Sequence, residues 1–163
     1  MCEDAAAYRR LIEGFFGYYE PFEAVLRALP GWEEEGFSWT DRSKIEFLRA
    51  DLKALGLTDS QIAALPRCSQ LPAPQNLSEG FGCAYVLEGS TLGGRHISGI
   101  LAKTGIPPEA RSFFGSYGER VGEQWKAFCA MLAALPLDEA ETQPAVAAAS
   151  ATFATIGAWL KSV

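Results

Sequence analysis

The chain has 163 residues, 48% hydrophobic and 21% charged, a composition that suits one domain over residues 1–163 able to fold without disulfides or a structural metal. Fourteen Lys and Arg against 20 Asp and Glu leave a net charge of −6 with no basic stripe, which excludes nucleic acid as the main partner. No apolar run approaches the roughly 18 residues of a membrane span, and the start Met1-Cys2-Glu3-Asp4 is acidic, so the sequence reads as cytoplasmic, with no membrane partner.

Apolar residues recur at three and four positions, and no run shows the alternation of a strand, so the expected fold is all-α, a multi-helical bundle. Asp4 can cap a first helix reaching Leu29, with Tyr8, Leu11, Phe15, Tyr18, Phe22 and Val25 on one face, a kink at Pro21 and a stop at Pro30-Gly31. Thr40 or Asp41 can cap a second helix with the stripe Ile45, Leu48, Leu52 and Leu55, closed by Gly56. A short helix follows Thr58-Asp59, and Pro66, Pro72 and Pro74 mark an irregular connection. A third long helix runs from Ser78 to Lys103. A fourth starts at Pro107-Pro108, bends between Gly115 and Gly118, and carries Phe114, Tyr117, Val121, Trp125, Phe128 and Leu132. Asp138 opens the last helix, whose expected buried seam is Val146, Ala149, Phe153, Ile156 and Leu160.

The third helix holds six glycines between Gly80 and Gly99. Each costs about 0.8–1 kcal/mol relative to Ala in a helix interior, so the segment needs a return for them. In a continuous helix Gly82, Gly89, Gly93 and His96 share one face, where a flat ligand or a crossing helix can lie against the backbone. Gly93-Gly94 also invites a bend. The cysteines Cys2, Cys68, Cys83 and Cys129 have no metal-binding spacing and read as reduced thiols.

The string Tyr85-Val86-Leu87-Glu88-Gly89-Ser90-Thr91-Leu92-Gly93-Gly94-Arg95 resembles the distal-helix signature of bacterial heme oxygenases, especially the biliverdin-producing type associated with bacteriophytochromes. Weaker similarity extends through Arg49-Ala50-Asp51-Leu52, Phe114-Gly115-Ser116-Tyr117-Gly118, Trp125-Lys126-Ala127-Phe128 and Trp159-Leu160. The resemblance implies the heme oxygenase-like helical bundle, heme as cofactor and substrate, and an external electron donor. It implies oxidative opening of heme to biliverdin, carbon monoxide and iron. By the same resemblance Gly89, Ser90 and Gly93 are the catalytic positions. Tyr85, Gly89, Gly93, Gly94 and Lys126 are the cofactor-binding positions it implies, with Lys126 toward a propionate; His96 is added to them by its spacing, one turn beyond Gly93.

In that family the proximal histidine precedes the segment that resembles Asp4 to Leu29. The only histidine in this sequence is His96, on the distal side. His96, Cys83 and Met131 are the alternative iron ligands that the residues leave open. A missing covering helix would expose Phe15, Phe16, Tyr18, Tyr19 and Phe22, and a homodimer is the expected remedy. The alternatives are a non-catalytic relative that binds heme or another flat tetrapyrrole, and an interaction module whose glycine face meets only protein.

Overall fold

A computed structural model describes the backbone of residues 2–163 and the side chains of residues 5–163. Among the described residues every regular element is helical, as the patterning requires. Eight α-helices follow one another: α1 (Cys2–Arg27), α2 (Trp39–Arg42), α3 (Ile45–Ala54), α4 (Asp59–Ala63), α5 (Leu77–Ser90), α6 (Gly94–Lys103), α7 (Val121–Ala134) and α8 (Glu139–Ser162). Single 3₁₀ turns occupy Thr91–Gly93, Pro108–Ala110 and Gly118–Arg120.

Helix α1 is the spine of the core. Ile12, Phe16, Tyr18, Phe22 and Leu26 are fully buried, and Tyr19 nearly so. The apolar face is therefore wider than the one expected from spacing, and Leu11 and Val25 fall outside it, each 37% exposed. The helix begins at Cys2 rather than beyond a cap at Asp4, whose side chain, like that of Cys2, lies outside the described residues. It also continues through Pro21. Proline at that position removes the N–H that would bond the Gly17 carbonyl. The Cys68 N–H bonds it instead at 2.9 Å, so the connection after α4 repairs the ladder. Gly17 permits this approach: a Cβ there would stand 2.4 Å from the Pro66 carbonyl oxygen.

The expected exposure of the α1 aromatics does not occur. Phe16, Tyr18, Tyr19 and Phe22 are covered within the chain, and Phe15 is partly covered. Tyr18 donates to the Thr152 carbonyl of α8 at 3.3 Å, while Phe15 packs on Phe113 with ring centroids 4.9 Å apart. The surface that motivated a homodimer is thus an interior one.

The second predicted helix divides. Ser38, not Thr40 or Asp41, caps the single turn α2, and α3 starts after Lys44 without a side-chain cap of its own. The buried carboxylate of Glu23 on α1 replaces that cap: it accepts from the Lys44 N–H at 2.8 Å and the Ser43 hydroxyl at 2.6 Å. Thr58 and Gln61 form a capping box for α4.

Helix α8 packs most extensively on α5. Its seam differs from the expected one: Val146 is 56% and Phe153 73% exposed, whereas Ala145 and Thr152 are buried and Ile156 and Trp159 partly so. Close helix approach selects small residues at the contact, and an Ala-rich helix hides that preference from a hydrophobicity pattern. Gly82 lies so near that a Cβ would stand 2.1 Å from the Ala145 carbonyl oxygen.

Candidate functional site

The predicted long third helix breaks where its glycines are densest. Helix α5 ends at Ser90, Thr91–Gly93 forms a 3₁₀ turn, and α6 restarts at Gly94. Asn76, two residues before the expected start, caps α5 by accepting from the Glu79 N–H at 3.0 Å. The break also cancels the single glycine face, because the 3.6-residue register is not carried across a 3₁₀ turn.

A cleft of about 120 Å³ lies inside the bend, lined by Phe15 and Tyr19 of α1, Lys44, Ser90, Thr91, Gly94 and Ile97 of the bend, and Phe113 and Phe114. The walls are mainly apolar. Lys44 is the only formally charged residue among these nine, and it is 4% exposed. Gly94 is held against the opposite wall: a Cβ would stand 2.1 Å from the Phe114 carbonyl oxygen. Ser90 donates to the Leu87 carbonyl at 2.7 Å and its oxygen lies 3.3 Å from the Tyr19 hydroxyl.

The wall opposite the bend is positioned by Asp51, which is fully buried on α3. Its carboxylate accepts from the Ser112 N–H at 2.7 Å, the Ser112 hydroxyl at 2.5 Å and the Phe113 N–H at 2.9 Å. Burial raises its pKa above the ordinary aspartate value while these donors pull it back. Arg111 donates to the Ser98 carbonyl of α6 at 2.8 Å, tying the far side of the bend to the same turn.

The predicted site residues separate on this geometry. Gly94 and Ser90 line the cleft. Gly89 lies behind it, half-buried, facing the Trp125 ring at 3.5 Å from its would-be Cβ. Tyr85 is 46% exposed and rests on the same Trp125 ring, centroids 5.4 Å apart. Gly93 is exposed and has nothing within 4 Å of a would-be Cβ. His96 and Lys126 are exposed on α6 and α7 and line no part of the cleft.

Beneath the bend lies a buried polar cluster that sequence reasoning did not assemble. Glu88, beside Gly89, is 4% exposed; Arg42 donates to it at 2.5 Å and the Tyr117 hydroxyl donates to both carboxylate oxygens at 2.9 and 3.0 Å. The Lys44 ammonium donates to the Arg42 carbonyl at 2.8 Å and sits 3.7 Å above the centre of the Tyr117 ring. Burial lowers its pKa to about 8, against the opposing pull of Glu88 and Glu23. Burial likewise raises Glu23, and burial together with Glu88 pushes Tyr117 well above the ordinary tyrosine range. The available signal was Glu88 itself, a charge following the apolar run Tyr85-Val86-Leu87.

The chain is thus an all-helical bundle with an apolar cleft against a glycine bend and buried charge beneath it. The comparison with known families makes that description specific. The heme oxygenase family model matches residues 2–162, and the chain belongs to that family. A protein of Xanthomonas campestris pv. campestris (strain 8004) described as a heme oxygenase is 32% identical over 139 residues, covering 78% of this chain and 79% of that protein.

The cleft residues match heme in part. Phe15, Ile97, Phe113 and Phe114 offer apolar walls suited to a flat ring. The volume, about 120 Å³, is below the 300 Å³ or more of sites that enclose a drug-sized ligand, so the ring's edge fits rather than the whole. No lining residue is a histidine, cysteine or methionine. The fit is to the ring and not to the iron.

Proposed function

We propose that this chain binds heme, or a tetrapyrrole of the same shape, edge-on at the bend, and forms the distal wall of a heme-oxidising site. The single observation that carries this reading is the cleft between the Ser90–Gly94 bend and the Phe113-Phe114 wall, in a chain of the heme oxygenase family. When bound, heme with oxygen and electrons from a donor supplies the oxidative chemistry that yields biliverdin, carbon monoxide and iron. The chain's own residues contribute shape and exclusion of water. Phe113 and Phe114 hold the ring's edge, Gly94 lets the backbone stand against it, and the Ser90 and Tyr19 hydroxyls offer polar contacts at the inner end.

The cleft lining supplies no iron ligand. Hemin added to the 163-residue chain is therefore expected to bind weakly and to turn over poorly. His96 is exposed on α6 and does not replace the missing ligand, so His96→Ala leaves the hemin spectrum unchanged. The test is a hemin titration followed by absorbance, alone and then with imidazole as an external ligand. A Soret band that sharpens with imidazole, and biliverdin on addition of reductant, support the oxidative reading. Binding without turnover in the presence of imidazole supports the second reading, a tetrapyrrole carrier, which the absence of a ligand in the lining favours. Absence of any spectral change with or without imidazole overturns both.

A further inference from the structure

Three cavities beneath the bend have lining residues in common, and the shared residues are ionisable. On the outside, a groove of about 700 Å³ between the Ser38–Arg42 turn and the start of α7 is floored by Arg42 and Tyr117. Next, a cavity of about 10 Å³ is lined by Tyr19, Glu23, Arg42, Lys44 and Glu88. It has room for about one water and an abundance of polar partners. Beyond it, the cleft is lined by Tyr19, Lys44 and Ser90. Arg42 belongs to the first two spaces, Lys44 and Tyr19 to the last two.

We propose that Tyr117, Glu88 and Lys44 form a proton inlet, carrying protons from the outer groove through the small cavity to the cleft. Lys44 is the relay residue that faces the cleft; Tyr117 is the gate that faces water.

The charge balance of the cluster drives the transfer. Glu23 of α1 and Glu88 of α5 oppose Arg42 of α2 and Lys44, with Arg27 reaching Glu23 from outside at 3.4 Å. Two carboxylates face two buried cations, so the resting cluster is neutral. When the Lys44 ammonium gives a proton to an acceptor in the cleft, the N–H bond breaks and the amine keeps the electron pair. The cluster then carries one net negative charge in a poorly solvated place, which draws a proton inward. A guanidinium holds its protons at any ordinary pH, so Arg42 is set aside and the source in contact with Glu88 is the Tyr117 hydroxyl, already donating to both its oxygens. It passes its proton to Glu88 as it takes another from groove water, so no tyrosinate is formed, consistent with its raised pKa. Glu88 returns the proton to Lys44 through the cavity, and every group ends as it began. Burial has brought Lys44 to about 8, which makes such a release affordable near neutral pH, whereas an ordinary lysine would hold its proton.

The chemical use of the inlet rests on the heme reading above; its existence does not. The first measurement is NMR of the full chain carrying ¹⁵N,¹³C-labelled lysine. Lys44 is expected to titrate near pH 8, and Glu88→Gln is expected to move it lower. Tyr117→Phe is expected to slow exchange of the Lys44 ammonium protons with water at least tenfold without moving the titration midpoint. Titration of Lys44 at the ordinary lysine value of 10.5, or unchanged exchange in Tyr117→Phe, overturns the inlet whether or not hemin binds. The second measurement uses hemin-loaded chain with imidazole and reductant. Lys44→Met and Lys44→Arg are both expected to slow product formation at least tenfold at pH 7, measured at saturating hemin. Arg keeps the charge but holds its proton. Full rescue by Arg would show that Lys44 supplies only a field, and overturns its role as a relay.

Discussion

Helices α5 and α6 are adjacent stretches of one glycine-rich sequence, yet their glycines live in opposite surroundings. In α5 a Cβ on Gly80 would meet Leu29 and Trp32, one on Gly82 the Ala145 backbone, and one on Gly89 the Trp125 ring. Phe81, Cys83, Ala84 and Leu87 between them are all buried. In α6 Gly94 alone is buried; Gly93, just before it, and Gly99 have open space around them, and Ile97 and Ile100 are 36% and 50% exposed. The same residue type is thus a packing device on one side of the 3₁₀ turn and a marker of open surface on the other. The two alternatives that sequence left open, a crossing helix and a ligand, divide between the two helices: α8 takes the first, and the cleft beside Gly94 is the candidate for the second.

The sharpest way to break this contrast is Gly82→Ala. The new methyl would stand 2.1 Å from a carbonyl oxygen and 2.9 Å from its carbon, both backbone, so α5 and α8 must separate. Overpacking of this kind costs about 3 kcal/mol or more, read as a lowered midpoint in urea unfolding. A midpoint equal to that of the unmodified chain would show that the helix contact is looser than described. Gly94→Ala comes next. Its methyl would strike the Phe114 carbonyl at the same 2.1 Å, but Phe114 belongs to a turn that gives more readily. The expected loss is about 2 kcal/mol. Because Gly94 also lines the cleft, hemin affinity should fall with stability in Gly94→Ala, whereas Gly82→Ala should leave the affinity of the folded fraction intact.

The junction between the two helices carries the buried charges, and pH addresses it selectively. Lys44 has a folded pKa of about 8 against an ordinary 10.5. Between those values the unfolded chain binds more protons than the folded one, so stability rises with pH. From pH 8 to 10 the gain from this group is about 2 kcal/mol. Above pH 10 the sign reverses, because Tyr8, Tyr18, Tyr19 and Tyr117 are raised by burial and only the unfolded chain ionises them readily. Thermal melts across pH 7–11 should therefore show a maximum near pH 10, and Lys44→Met should abolish the rising limb while leaving the fall. A monotonic decline from pH 8 in the unmodified chain would refute the assignment.

Much of this architecture was legible because it is local. The Asp138 cap of α8, the stop at Gly31 (φ +98°), the closure at Gly56 (φ +92°) and the bend near Gly93-Gly94 depend on residues a few positions apart. What was not legible joins distant parts of the chain. Arg42 and Glu88 are 46 residues apart, and nothing in either neighbourhood names the other. Asp51 fixes the Phe113 wall from another helix. Pro21 reads as a break unless Cys68 is known to serve the orphaned carbonyl. The α8 seam was misjudged for a related reason: Phe153 looks like core, but the buried face of α8 carries Ala145, packed against Gly82, and Thr152. Of the residues that line the cleft, Ser90 and Gly94 lie in the segment that the resemblance marked, while Tyr19 and Lys44, which lie on other elements, needed the fold.

The smallest effect separates a structural glycine from a functional one. Gly93 and Gly99 both adopt helical or near-helical backbone conformations, with φ −79° and ψ −13° at Gly93, and neither has a neighbour within 4 Å of a would-be Cβ. Alanine at either position therefore meets no obstacle and removes conformational freedom from the unfolded chain. Each substitution should stabilise the fold by about 0.5–1 kcal/mol. If both glycines were only tolerated surface residues, their substitutions would be indistinguishable in every assay. The family resemblance implies instead that a flat ligand lies against the backbone near Gly93, where a methyl group would stand between ring and chain. Gly93→Ala should then melt higher than the unmodified chain yet bind hemin, with imidazole present, about tenfold more weakly, while Gly99→Ala melts higher and binds unchanged. A gain in stability with a loss in affinity is not the signature of a damaged fold. Equal hemin affinity in the two variants would place the ligand away from the 3₁₀ turn and leave Gly94 as the glycine of this bend that faces it.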